Sequence, residues 1–411
     1  MLNAAPLRSF LEPRFPATLD LLRAMVNINS FTANREGVNH LARCTTDAFA
    51  PLGFTAESVP STNPAYGDHL VLTRRGRKTG APCIAMISHL DTVFPPEEEV
   101  RNNFRWLPEG DRIYGPGTHD IKGGTAMMWL VLHGLREHAP DAFEDITWKL
   151  FWNSSEEVLS HDFGEVCRAR FEPRTLGALV FESEGRLGDE TLMVVARKGR
   201  ATWRVRVAGR GAHAGGRHRH GANAVVQLGR LLERIAALTD YSRDLTFNVG
   251  SISGGTVLNR VPHEAVAEGE FRAFTPEAYN TGKDSILALA GPGDLRAVSD
   301  RFPCTIEVEI LSESRPWPRN PGTDKLAALW TEVGKELGQR VNVEQRGGLS
   351  DGNQIWDAVP TLDGLGPWGD NDHCSERSAD GTKVPEFVEV SGFIPKAELN
   401  VAAILRLARE G

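Results

Sequence analysis

Histidines and carboxylates recur in this chain where an apolar run gives way to polar residues, the places from which side chains reach a ligand at the end of a buried strand. The run Ile84-Ala85-Met86-Ile87-Ser88 leads into His89-Leu90-Asp91. Residues two apart on a strand face the same side, so Asp91 can accept a hydrogen bond from the imidazole nitrogen that His89 does not offer to a metal. Taken alone, His-x-Asp is as readily a surface or core pair. Asp120 closes the glycine-rich turn Gly115-Pro116-Gly117-Thr118-His119 and precedes Ile121-Lys122-Gly123-Gly124. Its two oxygens could bridge two cations, or it could simply cap the helix that follows. The alternating run 147–152 ends in Asn153-Ser154-Ser155-Glu156-Glu157, adjacent acids that can divide labour, one holding metal and one moving a proton. On its own such a pair is also a solvated turn. The run 177–181 presents Glu182, with Glu184 two residues on, and the Gly- and Asp-rich loop 364–373 supplies His373. His89, Asp120, Glu157, Glu182 and His373 together make an N/O ligand set for two zinc-like divalent ions sharing one carboxylate, with positions left for water.

The elements that must position these groups follow from periodicity. Apolar spacing over 19–54, interrupted near 30–36, predicts two helices. Short apolar or alternating runs at 69–74, 83–88, 146–152 and 177–181 predict strands, with a helix over 125–137 between the second and third. This is an α/β alternation with a mostly parallel sheet. From about Val194 the texture changes: 201–208 alternates, 222–238 has helical spacing, and 245–251 and 265–274 are strand-like, a compact α+β domain inserted into the first. The Pro- and Arg-rich stretch 314–321 reads as the return crossing, followed by a helix at 325–337, a short strand at 359–362 and a closing helix at 394–409. The expected organisation is a first catalytic part at 1–197, an insertion at 198–311 and a second catalytic part at 312–411.

Composition bounds the function classes. A net charge of −8 gives no long-range attraction to a phosphate backbone or an anionic membrane, so nucleic acid and membrane are not expected partners. No apolar run is long enough to cross a bilayer. Residues 1–22 mix charges and Pro into the apolar positions and lack a signal-peptide core. Cys44, Cys83, Cys167, Cys304 and Cys374 are scattered, with no close pair for a thiolate zinc site or a disulfide framework. The expected compartment is the reducing cytoplasm.

The chain resembles the aminoacylase and glutamate carboxypeptidase family of dinuclear zinc peptidases. The resemblance is carried by Ser88-His89-Leu90-Asp91-Thr92-Val93, the glycine-rich run ending at Gly124, Glu156-Glu157, Phe181-Glu182, Gly211-Ala212-His213-Ala214-Gly215 and His373. It implies that one zinc is held by His89 and Glu182 and the other by Glu157 and His373, with Asp120 bridging, Glu156 as general base and Asp91 orienting His89. It implies further that the inserted domain is a lid and homodimer interface, with His213 reaching into a partner's site to stabilise the oxyanion. Asn259 and Arg272 resemble the residues that hold the substrate carboxylate, and Gly347-Gly348-Leu349-Ser350-Asp351-Gly352 the loop lining the same pocket, with Gly348 and Ser350 as contacts.

The chain departs from the family pattern in Val158-Leu159-Ser160-His161-Asp162 after Glu157, in Cys374 after His373, and in the acid expected after that histidine, for which Glu376 comes early. The implied reaction is hydrolysis of the amide bond of an N-acyl amino acid or small peptide bearing a free carboxylate. A dipeptidase or a biosynthetic amino-acid deacylase uses the same residues, and a metal-stabilised binding protein would need neither Glu156 nor His213. The stretch Gly216-Arg217-His218-Arg219-His220 either draws an acidic substrate or is a solvated loop, and Trp368 either flanks an acyl group or is core.

Overall fold

The strand Cys83–His89 is buried along its whole length, as an unbroken apolar sequence requires of a strand covered on both faces. The computed structural model in which it lies describes residues 4–183, 185–188 and 190–411, so Glu184 falls outside the described residues. Cys83–His89 runs parallel to Thr147–Asn153 on one side and to Thr175–Val180 on the other, and Thr361–Leu362 adds a further parallel strand beyond the latter. Two antiparallel strands, His69–Arg74 and Thr55–Val59, complete the six-stranded sheet at its other edge. The sheet is therefore mostly parallel. Its parallel strands end together: His89 pairs in register with Asn153, and Ile87 with Val180. Residues that follow these ends must converge.

The helices Lys122–His138 and Phe393–Glu410 belong, with Phe15–Val26, to one apolar core that includes Ile84, Met86, Leu150 and Leu179 of the sheet. The glycine pair at the start of Lys122–His138 has a steric reason. A Cβ on Gly123 would lie 2.2 Å from the Thr118 carbonyl oxygen, and one on Gly124 2.1 Å from that of Phe181. Only glycine lets this helix begin directly against the strand end that delivers Glu182.

Midway along the same helix, His133 is buried against Trp129, ring centroids 4.0 Å apart, and neither ring nitrogen has a hydrogen-bond partner. Burial, with the charges of Arg136 and Arg14, pushes its pKa down to about 4 from an ordinary 6.5. The unfolded chain therefore binds a proton that the folded protein refuses between these two values, so stability falls as pH drops below the unfolded value and continues to fall toward the folded one. We expect His133→Leu to narrow the gap between the Tm values measured at about pH 8 and about pH 5. An unchanged gap would show that His133 is not part of the acid sensitivity.

A second compact unit comprises Ala196–Pro318 and the short segment Arg346–Leu349. Its antiparallel sheet has the strand order Thr246–Gly254, Glu264–Ala273, Gly199–Ala208, Pro303–Ser314, Gly291–Arg296. Ala201, Trp203, Val205 and Val207 face the helices Ala224–Ala236 and Pro276–Leu287 in one core. The alternate residues face outward in charge pairs such as Arg204 with Glu268 at 2.7 Å, the pattern of a sheet with one wet face. The helix Pro276–Leu287 and the strands Gly291–Arg296 and Pro303–Ser314 occupy a stretch for which the sequence reading predicted no element. Arg197 donates to the carbonyls of Gly348 and Leu349, and Arg272 to that of Gly347, which ties the 346–349 segment to this unit. Among the described residues, no helix is long and apolar enough to cross a membrane.

Candidate metal centre

His89 ends its strand and Asn153 ends the next. The Leu90 N–H donates to the Asn153 carbonyl at 2.7 Å, and the Asn153 side chain binds Asp351 Oδ1 at 2.7 Å while accepting the Ser155 N–H. The chain then makes a single tight turn, Glu156–Val158. The buried Asp91 carboxylate accepts the Glu156 N–H at 3.0 Å, the Glu157 N–H at 3.3 Å and the Thr32 hydroxyl at 2.7 Å. This changes the part expected of Asp91. His89 Nδ1 donates to the main-chain carbonyl of Asp91 at 2.9 Å, and the carboxylate stands off at 3.5 Å. The backbone fixes the ring, which frees the carboxylate to hold the Glu156-Glu157 turn.

That arrangement turns His89 Nε2 outward. Asp120 Oδ1 lies 3.0 Å from it and Glu182 Oε1 3.9 Å. The other Asp120 oxygen, Oδ2, lies 3.3 Å from His373 Nε2, which is also 3.3 Å from Glu157 Oε2. The structure thus brings the five side chains together as two groups, His89–Asp120–Glu182 and Asp120–Glu157–His373, each with its ligand-type atoms within 4.8 Å of one another. Asp120 belongs to both, one oxygen to each. It does not act as a helix cap, because Ile121 occupies the cap position and no side chain caps that end. His373 has a φ of 64°, a left-handed conformation that non-glycine residues adopt mainly where the surroundings hold them there.

One supporting residue escaped the sequence reading. Glu386 is fully buried, and its Oε1 accepts the backbone N–H groups of His119 at 2.9 Å and Asp120 at 3.2 Å, while the His119 ring bonds Asp372. It is the acid following His373 that braces Asp120. Glu376, nearer in sequence, is exposed and pairs with Lys383.

The electrostatics show what the cluster lacks. Burial and the charge of Asp120 push the Glu157 carboxyl up to about 7, although His373 and His89 pull it back. Glu156 is also held well above the carboxylate range, by burial and by Glu182, Asp351 and Glu157, with His89 partly offsetting them. Burial would raise Asp120 as well, but the hydrogen bonds from His373 and His89 outweigh it and hold the group ionised. His373 is pushed up to about 11 by Asp120 and Glu157. Acids crowd two imidazoles where every member but the exposed His373 is buried or half-buried, an arrangement that calls for added positive charge. Glu157 Oε1 is buried without a hydrogen-bond partner, as an oxygen waiting for a cation would be. Oxygen and imidazole donors in two groups that share a carboxylate fit two divalent cations.

The remaining expected residues fall elsewhere. His213, in the second unit, is exposed, and its Nδ1 accepts the N–H groups of Gly215 at 3.1 Å and Gly216 at 3.0 Å. Its Nε2 must therefore carry the proton, a donor facing outward. Asn259 is exposed, its carbonyl accepting the Ala214 N–H. Arg272 is held by both Glu270 oxygens and by the Gly347 carbonyl. Gly348 offers its carbonyl to Arg197. Ser350 does not present its hydroxyl to a pocket: it is buried, donates to Asp363 at 2.8 Å and caps the turn Asp351–Gln354. Arg217 and Arg219 are exposed, and Trp368 is half-buried with its ring against Gly392.

The comparisons with known proteins agree with this fold. Residues 195–290 match the peptidase dimerisation domain of the M20 family. Carboxypeptidase G2 from a Pseudomonas species is 28% identical over 381 residues, which cover 92% of this chain and 86% of that protein. A tripeptidase from Staphylococcus aureus superposes with a TM-score of 0.74 at 21% identity, covering 96% of this chain and 99% of that one. A dinuclear metal binding peptidase from Bacillus subtilis superposes with a TM-score of 0.65 at 13% identity, covering 96% and 98%. With a dimerisation domain of that family, a carboxypeptidase relative along most of its length and paired groups of side chains able to hold metal, the chain is similar to the M20 metallopeptidases, the aminoacylase and glutamate carboxypeptidase group, and is a hydrolase of peptide or amide bonds.

Proposed function

We propose that the protein hydrolyses the amide bond of an N-acyl amino acid or small peptide with a free carboxylate, in the manner of a glutamate carboxypeptidase. The observation that carries this reading is the pair of groups sharing Asp120 beside a half-buried Glu156. In it, His89, Glu182 and Asp120 would hold one zinc ion, and Glu157, His373 and Asp120 the other. Bound there, the two cations would polarise the scissile carbonyl and lower the pKa of a shared water toward ~7.

The chain's own residues do the rest. Glu156, whose affinity for a proton is raised by desolvation and by its acidic setting, takes the proton of the attacking water and delivers it to the leaving amine. Asp91 keeps that carboxyl in place through the backbone of the turn. His213, from a second copy of the chain, donates its Nε2 proton to the developing oxyanion. Arg272 uses three of its N–H groups on Glu270 and Gly347, and a guanidinium has five, so donors remain for a substrate carboxylate beside Asn259. Support for a homodimer comes from the strand Thr246–Gly254, which is an exposed sheet edge, and from the exposed Val226 and Ile252 on the same unit.

The test is a panel of N-acetyl and N-benzoyl amino acids and dipeptides, assayed for release of free amine before and after treatment with a chelator. Release that stops with the chelator and returns with added zinc is expected. Bound metal without release from any member of the panel would favour a binding protein instead.

A further inference from the structure

Residues 154–162 carry Glu156 and Glu157, and little of the core holds them. Val158 is exposed, and Leu159 has a left-handed φ of 61°. In mid-segment the Asp91 carboxylate ties the chain. Both ends meet at one side chain. His69, the first residue of the strand His69–Arg74, is wholly buried. The Ser154 N–H donates to its Nδ1 at 3.2 Å, and Asp162 Oδ2 lies 3.3 Å from its Nε2.

The donor pattern fixes the tautomer. An N–H directed at Nδ1 requires a lone pair there, so the proton resides on Nε2, which faces the Asp162 carboxylate at 3.3 Å in an electrostatic contact outside hydrogen-bond geometry. Burial lowers the pKa of His69, partly offset by Asp162, which keeps the ring neutral as this pattern needs. Both partners are anchored independently. Ser154 Oγ donates to the Gly67 carbonyl at 2.7 Å. Asp162 accepts the Thr62 N–H at 2.6 Å and the Ser160 hydroxyl at 2.7 Å. The His69 ring packs against Phe163, centroids 5.3 Å apart.

We propose that His69 is a positioning residue for the reaction: one neutral imidazole staples Ser154 to Asp162, closing the segment between them into a loop that holds Glu156 and Glu157 at their working distance from the site. The role of Asp162 follows from the same geometry. It precedes the helix Phe163–Arg168 without capping it, so its carboxylate is committed to the loop. The Val158-to-Asp162 stretch, which departs from the family pattern, is in this chain the outer half of that loop.

The proposal rests on Glu156 as the proton carrier, and its test separates the two. His69→Phe keeps an aromatic ring against Phe163 and removes both nitrogens, and Asp162→Ala removes the far anchor without touching a cap. Both are compared with wild type and with Glu156→Gln, using the N-acetyl or N-benzoyl amino acid that wild type cleaves fastest. Each staple variant is expected to lower kcat about 10- to 100-fold with KM within about twofold, as a misplaced catalytic group does. By hydrogen exchange, amides 156–161 should lose protection while those of the strand Cys83–His89 keep it.

Unchanged protection of 156–161 in both variants would overturn the proposal. So would a loss of protection spread over the whole sheet in His69→Phe together with normal turnover and protection in Asp162→Ala, which would make His69 a core residue only. If Glu156→Gln retains activity, the assignment of Glu156 fails, and the exchange result still decides whether the staple exists.

Discussion

Glu156→Gln is expected to keep its fold and its metal content and to lose turnover by about 1,000-fold or more, within the range that a positioned general base contributes. The substitution is nearly isosteric and leaves the backbone N–H of residue 156 free to donate to Asp91 as before. What it removes is the carboxyl that burial and Glu182, Asp351 and Glu157 make proton-avid, with His89 partly opposing them. The effect should lie in kcat rather than KM, because a proton carrier acts in the transition state. Metal content by elemental analysis and turnover of the best N-acyl amino acid decide the matter. Full activity in the variant would refute the assignment, and lost metal would move Glu156 from proton carrier to ligand.

The second large effect is at Asp120. It is the residue that both groups share, with Oδ1 facing His89 and Oδ2 facing His373. Altering residues that merely support a ligand changes metal affinity about 10- to 100-fold, and removing a shared ligand should exceed that. Asp120→Ala is therefore expected to fall from two bound cations to fewer than one at micromolar metal and to lose activity with them. The same change in Glu386, which only braces the Asp120 backbone, should be milder. Titration calorimetry with zinc separates the cases. Two full-affinity sites in Asp120→Ala would mean that the aspartate bridges nothing.

The sheet that carries the site was legible because buried parallel strands are short apolar runs, and each ends at or just before residues that chemistry singles out: His89, Asn153 before Glu156, and Val180 before Glu182. Elements of the second unit were less so. Gly291–Arg296 is an edge strand rich in Gly and Pro and shows no contrast that marks a strand, whereas Pro303–Ser314 carries a strict apolar and polar alternation over 304–310 that the sequence reading passed over. Glu386 was missed because a loop with its own charge pairs separates it from His373, and Glu376 offered a nearer but exposed carboxylate. His69 was invisible for a different reason. A histidine opening the run His69-Leu70-Val71-Leu72 looks like a strand boundary, and only the antiparallel register beside Thr147–Asn153 places it against Ser154. Asp91 was read as acting through its side chain on His89, whereas the turn of the chain puts its carbonyl there. Sequence spacing shows which residues can meet, and backbone direction decides which atom of each does.

The central claim is that two cations share Asp120, and anomalous diffraction from crystals grown with zinc tests it most directly. The account predicts two peaks, one within bonding distance of His89, Glu182 and an Asp120 oxygen, the other of His373, Glu157 and the second Asp120 oxygen. A single peak, or two that leave Asp120 uncoordinated, would contradict it.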